Sequence, residues 1–236
     1  MGEREEVVVI GGGSGIGEAT AILFARRGAS VFIIGRDRNK LEAVATRIGA
    51  VSYEAADAKD GARLQSFFAK RGEFQYLVLC LSGGKGGGPF RTLALDDLRS
   101  GLEGKLLAQL SALQAALPFV TQSVTFVSAA SARAALPGTA GLAAINGAIE
   151  SIVRTLATEL APVRVNAVSP GIIDTPWWNA MPAQTRTSTF EQVAKTLPTG
   201  RVGKPEDVAS AIVWVATDSY VTGTVVDVSG GAALPR

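Results

Sequence analysis

The stretch Val7-Val8-Val9-Ile10-Gly11-Gly12-Gly13-Ser14-Gly15-Ile16-Gly17, followed at once by Glu18–Arg27, decides the fold. Val7–Ile10 is the short, continuously apolar run of a strand buried on both faces. Glu18–Arg27 has the amphipathic pattern of a helix. Between them Gly11 permits a sharp turn, Gly15 lets the backbone approach a phosphate, and Gly17 lets the helix sit close to the sheet. A pyrophosphate would rest on the helix N-terminus, where backbone N–H groups lack partners. A glycine cluster alone reads equally as a bland loop; the strand before it and the helix after it point to a dinucleotide site.

The same alternation continues outward. Val31–Ile34 precedes a helical stretch at Asn39–Ile48, and Val51–Tyr53 precedes another at Ala62–Lys70. Tyr76–Leu81, Val124–Ser128, Val163–Val168 and Thr224–Val228 supply four further strands. The expectation is an α/β fold, a Rossmann-type doubly wound seven-stranded parallel sheet with helices on both faces. Two longer helices are expected at Asp96–Ala116 and Leu142–Leu160, the second with a small-residue face suited to close packing within or between subunits. Nothing reads as a linker, so residues 1–236 are expected to form one domain.

Composition narrows the partners. The 236 residues are 47% hydrophobic and 19% charged, with a formal net charge of +2. Lys and Arg are dispersed, so a small-molecule substrate is expected, with no nucleic acid and no membrane. Met1–Glu6 is charged and is neither a signal peptide nor a span, which gives a cytoplasmic reading. The single cysteine, Cys80, reads as a buried small hydrophobe in a reducing compartment. Histidine is absent, which removes imidazole acid–base chemistry and most zinc sites, and no metal is expected.

The second strand ends Ile34-Gly35-Arg36 with no acid at its tip. An acid there would bind a ribose 2′-hydroxyl, whereas an arginine receives a 2′-phosphate, so Arg36 points to NADP(H) rather than NAD(H). Ser14 and Arg38 are candidate helpers. Asp37 keeps the other cofactor open, since a small backbone shift would bring it to the ribose.

Several further motifs complete a pattern: Asp57 after the third strand, Arg164-Val165-Asn166-Ala167-Val168-Ser169-Pro170-Gly171, Thr175-Pro176, Gly200-Arg201-Val202-Gly203-Lys204-Pro205-Glu206-Asp207-Val208-Ala209 and Thr222-Gly223. With Gly11, Gly15 and Gly17 they make the chain resemble the short-chain dehydrogenase/reductase family over essentially its whole length. The resemblance implies a cofactor held by Gly11, Gly13, Ser14, Gly15, Ile16, Gly17 and Arg36, with Asp57 and Ala58 at the adenine and Pro170, Gly171, Ile173 and Thr175 at the nicotinamide. It also implies a substrate lid at about residues 177–200 and a homodimer or homotetramer. In that lid Trp177, Trp178, Met181 and Phe190 offer apolar area and Arg186 and Lys195 charge, which suits an apolar or aromatic substrate or, equally, packing of the lid itself.

The family's proton-transfer residues are where the resemblance fails. By position the tyrosine is Leu142, its lysine is Asn146, the serine is Ala129 and the supporting asparagine is Lys105. The asparagine-rich motif after the fourth strand is replaced by Leu79-Cys80-Leu81-Ser82-Gly83, and Ser229-Gly230-Gly231 stands where the family keeps an acid. None of Tyr53, Tyr76 and Tyr220 is followed four residues later by lysine. Candidate catalytic groups are therefore Lys105, whose pKa a partly buried setting would lower, with Ser128 and Ser131 as hydroxyls able to lean in. A solvated Lys105, or one binding an anion, is the competing reading, and Lys85 is a second cation able to reach the site mouth. The expected function is an NADP(H)-dependent oxidoreductase with a non-standard proton donor, suited to an imine, iminium or activated alkene more than a ketone. The alternative is a catalytically silent NADP(H)-binding protein serving as sensor or assembly subunit.

Overall fold

The computed structural model describes residues 4–49 and 51–234; Met1 to Glu3 of the charged N-terminal stretch lie outside the described residues. Seven strands form one parallel sheet: β1 (Glu6–Ile10), β2 (Ser30–Gly35), β3 (Val51–Ala55), β4 (Phe74–Leu79), β5 (Val120–Val127), β6 (Arg164–Pro170) and β7 (Val225–Val228). Their order is β3-β2-β1-β4-β5-β6-β7, as a doubly wound sheet requires. The order reverses between β1 and β4, so a crevice opens beyond the carboxyl ends of those two strands.

The apolar runs are continuous because both faces are covered. On one face Leu64 and Phe68 of α3 (Gly61–Arg71), Leu113 of α5 (Ala108–Ala116) and Ile149 and Val153 of α6 (Ala140–Glu159) pack on Val8, Leu77, Val124 and Phe126. On the other, Phe24 of α1 (Gly15–Arg26), Leu41 of α2 (Arg38–Ile48) and Ile212 of α8 (Pro205–Thr217) pack on Val7, Val9, Ile33 and Val78. Side chains buried this fully stabilise by roughly 1.5–3 kcal/mol each before conformational entropy is set against them.

Two departures from the sequence reading bear on the site. The fourth strand begins at Phe74 and stops at Leu79, which pairs with Ile10; Cys80 donates its N–H to Ile10 O at 2.8 Å and the chain then leaves the sheet. Cys80 is consequently half-buried, packed against the core on one side and lining the crevice on the other. The expected single helix over Asp96–Ala116 is three segments, α4 (Leu95–Gly101), a π-helical stretch Leu102–Leu107, and α5. Gly101 and Gly104 let the Gly83 backbone lie against it: a Cβ on Gly101 would stand 2.7 Å from Gly83's neighbour in the loop, Lys85 O, and 2.6 Å from Ile145 Cδ1. Single π-type turns of this kind recur at functional sites because they re-aim side chains, and Lys105 lies inside this one.

The lid region is a 3-10 turn, Pro176–Ala180, followed by α7 (Ala183–Thr196). Among the described residues no helix is long and apolar enough to cross a membrane.

Candidate functional site

The phosphate turn is shaped by its glycines. Gly11 has φ +89° and Gly15 φ +56°, the left-handed region that side chains disfavour. A Cβ on Gly11 would sit 2.3 Å from Cys80 O, and one on Gly17 would sit 2.2 Å from Gly11 O, so strand end, turn and helix meet backbone to backbone. Ser14, the N-cap of α1, is extended, and its side chain makes no capping hydrogen bond. The helix end is therefore open to an anionic ligand in the way phosphates are bound elsewhere.

A cavity of about 300 Å³ lies over this turn, lined by Gly11, Gly13, Ser14, Arg36, Asp57 and Ala58 among others. Ile16 and Gly17 lie behind its wall in the first turn of α1. The donor set fits a dinucleotide: an open helix N-terminus, a turn that admits no side chain at Gly11 or Gly17, and cations beside the end of β2. Asp37, the residue that left the other cofactor open, lines the cavity beside Arg36 and Lys40 and also has a local role. It caps α2 by accepting from Lys40 N at 3.2 Å, and its second oxygen lies 3.9 Å from Lys40 Nζ. Of the helpers, Ser14 lines the cavity, while Arg38 is turned over the Tyr53 ring at 5.9 Å. Lys40, which the sequence reading passed over, lines it instead. The available signal was its place three residues after the cap, where a helix brings a side chain back to the cap's side.

Across the crevice, Pro170 ends β6, and Gly171 donates to Val228 O at 3.1 Å. Ile173 bridges to Gly203 and accepts at its carbonyl from Trp178 Nε1 at 2.9 Å. Thr175 lies directly opposite the phosphate turn, since a Cβ on Gly15 would come within 3.3 Å of its Cβ and Cγ2. The fold thus brings the two predicted halves of the cofactor site face to face.

Beside them lies a connected polar cluster. Lys105 Nζ donates to Asn146 Oδ1 at 2.7 Å and to Ser128 O at 2.9 Å. Lysine has only donors, so the Asn146 amide must present its oxygen to Lys105 and its nitrogen away. That nitrogen donates to Ser131 Oγ at 3.1 Å and Leu142 O at 2.9 Å. Ser128 Oγ and Ser169 Oγ both donate to Glu150 Oε1 at 2.7 Å, and Arg133 Nε lies 3.1 Å from Glu150 Oε2. The three predicted catalytic groups, Lys105, Ser128 and Ser131, are therefore brought together. Their states differ: the Ser128 hydroxyl is committed to Glu150, whereas Ser131 accepts from Asn146 and keeps its own proton to give.

Burial pulls the Lys105 ammonium down to about 8, with Cys80 and Glu150 acting in the opposite sense. Burial also pushes the Cys80 thiol up to about 12, opposed by Lys105. The other residues singled out lie elsewhere. Lys85 is exposed and ion-paired with Asp97 at 3.1 Å. Tyr76 donates to Glu5 at 3.2 Å, Tyr220 is 97% exposed, and Tyr53 lies under Arg38. Leu142 presents hydrocarbon one turn from Asn146, and Ala129 offers no hydroxyl.

In the lid, Trp178 meets Trp177 edge-on at 4.7 Å between ring centres and Phe190 at 5.5 Å. Arg186 lies over Phe190 and is paired with Asp174. Ser229-Gly230-Gly231 has a steric purpose the sequence left open: a Cβ on Gly231 would stand 2.5 Å from Pro198 Cγ, so the end of the lid packs onto that turn.

Comparison with known proteins places this geometry. A family profile described as enoyl-(acyl carrier protein) reductase matches residues 11–233. The chain is 30% identical to 3-oxoacyl-[acyl-carrier-protein] reductase of Rattus norvegicus, with 96% of this chain and 97% of that protein covered. It is 29% identical to 3-oxoacyl-[acyl-carrier-protein] reductase FabG of Thermotoga maritima, over 98% of this chain and 99% of that protein. Among solved structures, a small-chain dehydrogenase in complex with NADPH superposes with a TM-score of 0.84 at 29% identity, covering 99% of this chain and 100% of that one. A short-chain dehydrogenase/reductase from Brucella melitensis does so with a TM-score of 0.90 at 29% identity, covering 99% and 98%.

Proposed function

The chain belongs to the short-chain dehydrogenase/reductase family, and from that premise we propose that it is an NADP(H)-dependent oxidoreductase whose proton comes from Lys105 in place of a tyrosine. The observation behind this reading is the hydrogen-bonded chain from Lys105 through Asn146 to Ser131, beside the crevice where Thr175 faces Gly15.

When bound, the cofactor supplies a hydride. Gly11, Gly13, Ser14, Gly15, Ile16 and Gly17 shape its pyrophosphate site, Asp57 and Ala58 its adenine site, and Pro170, Gly171, Ile173 and Thr175 its nicotinamide side. Arg36 and Lys40 are the 2′-phosphate ligands. Ser131 orients the acceptor through its free hydroxyl proton. Lys105, titrating near neutrality, supplies positive potential and the proton that accompanies the hydride. The residues at 129, 142 and 146 are the departure from the family's serine, tyrosine and lysine, and Lys105 with Asn146 carries the ammonium and amide on exchanged elements. With Leu142 presenting hydrocarbon, the acceptor class that fits a hydride and a proton together is a small apolar or aromatic imine or activated alkene, while an iminium would take the hydride alone, with no proton from Lys105. We assign the small-residue face of α6 to packing in a homodimer or homotetramer, and the protein to the cytoplasm.

The test is NADPH with a panel of imines, enones, quinones and ketones. Acceptor-dependent loss of the reduced-nicotinamide absorbance with imines or enones is expected. No loss across the panel, with NADPH bound, would sink the oxidoreductase reading and leave a cofactor-binding protein. For the phosphate ligands, Arg36→Ala is expected to weaken NADPH binding by roughly 10- to 100-fold while leaving NADH unchanged, the size of a lost charge-assisted contact. Fluorescence titration of both cofactors measures it, and an unchanged NADPH preference would remove Arg36 from the site.

A further inference from the structure

Glu150 lies two turns along α6 from Leu142, outside the residues that meet cofactor or acceptor, yet its carboxylate is only 11% exposed and is fully engaged. One oxygen accepts from Ser128 Oγ and Ser169 Oγ, each at 2.7 Å, and so ties together the carboxyl ends of β5 and β6. The other oxygen takes Arg133 Nε at 3.1 Å, and Arg133 in turn lies 3.8 Å from Asp227 on β7. The same Ser128 offers its backbone carbonyl to Lys105 Nζ at 2.9 Å. We infer that Glu150 is a positioning residue: it fixes Ser128 so that the Ser128 carbonyl receives Lys105, and it sets a negative charge behind that contact. This rests on the reading of Lys105 given above and extends it to a second group.

Two groups oppose burial at Lys105, Cys80 first and Glu150 second, and only Glu150 is a carboxylate. From the end of β4 the facing group is Cys80, whose thiol is uncharged near neutrality because burial pushes it up to about 12. From the glycine loop Lys85 is turned away to Asp97. From the 3-10 turn after β5, Arg133 is spent on Glu150, and Asp227 stands beyond Arg133 as the next charge in line. Glu150 from α6 is thus the one carboxylate among the described residues that raises Lys105 against its burial. A buried cation with no opposing charge would shed its proton.

The experiment is competitive labelling of the full chain with trace acetic anhydride across pH, reading the peptide that holds Lys105 by mass spectrometry. The parent midpoint is expected near 8. Glu150→Gln keeps the side chain's size and one acceptor oxygen while removing the charge, and it is expected to move the midpoint down by a fraction of a unit, Glu150 being the smallest of the causes acting on Lys105. Asp227→Asn removes a charge of the same sign one step further out and is expected to leave the midpoint in place; thermal unfolding of both variants shows that they are folded. An unmoved midpoint in Glu150→Gln, or an equal movement in Asp227→Asn, overturns the inference. A midpoint that moves in Glu150→Gln with no matching movement in the pH profile of turnover upholds Glu150 and overturns the catalytic role given to Lys105. A matching movement with the cofactor dissociation constant unchanged upholds both.

Discussion

Lys105→Met is expected to lower turnover by about 10²- to 10⁴-fold, the usual contribution of a positioned acid or base, while leaving the NADPH dissociation constant within a factor of about two. The substitution keeps the length and apolar stem of the side chain and removes the donor to Asn146 Oδ1 and Ser128 O. Asn146 is then free to turn, and Ser131 loses the orientation it receives from the Asn146 amide nitrogen. Lys105 does not line the cavity over the phosphate turn, so cofactor affinity is the control. Equal losses in turnover and in NADPH affinity would mean that Lys105 serves cofactor binding instead. Single-turnover kinetics with a fluorescence titration separate the two.

Gly17→Ala is expected to destabilise the fold by about 3 kcal/mol, the upper end of overpacking costs, and to weaken NADPH binding by at least about 100-fold, as a misplaced phosphate contact does. Its Cβ would stand 2.2 Å from Gly11 O and 2.8 Å from Gly11 C, both backbone atoms, so no rotamer change relieves the clash. The helix must back away from the turn, and the open helix end that receives the pyrophosphate moves with it. For a domain of this length the stability loss corresponds to a drop in Tm of roughly 6–12 °C. Gly13→Ala is the contrast, because its Cβ would meet nothing nearer than Leu41 Cδ2 at 3.5 Å and its φ is not positive. Its Tm is expected to change by less than about 3 °C, and similar drops in both variants would show that the turn is not packed as described.

How much of this was legible in the sequence depended on whether the signal was local. The strands were, because Val7–Ile10 or Ile33 and Ile34 can be this apolar only where both faces are covered. The phosphate turn was legible in part for a similar reason, since Gly17 is required by its contact with Gly11 six residues away, whereas the contact of Gly11 with Cys80 O joins two strand ends far apart in the chain. The π-helical stretch was not, because it arises where the Gly83 loop leans on Gly101 and Gly104, an approach between segments some twenty residues apart. The role of Asn146 as the hub between Lys105 and Ser131 was hidden likewise. Position-by-position matching exposed the residues at 105 and 146, but only the crossing of α6 past the π turn brings them to 2.7 Å. Lys40 and Glu150 drew no reading from the sequence, where each is one charge on a helix, and what distinguishes them is the tertiary surface each one faces.

The most direct test of the central claim is the pH dependence of kcat/KM for NADPH-dependent reduction, taken from about pH 6 to about pH 10 with the best acceptor from the panel. Lys105 gives a proton only as the ammonium, and burial holds that ammonium at about 8. The expected rate is level below that value and falls about tenfold for each pH unit above it, with the falling limb absent in Lys105→Arg, whose guanidinium stays charged throughout. A profile that runs level through about pH 10 in the parent, or a limb that persists unchanged in Lys105→Arg, would contradict it.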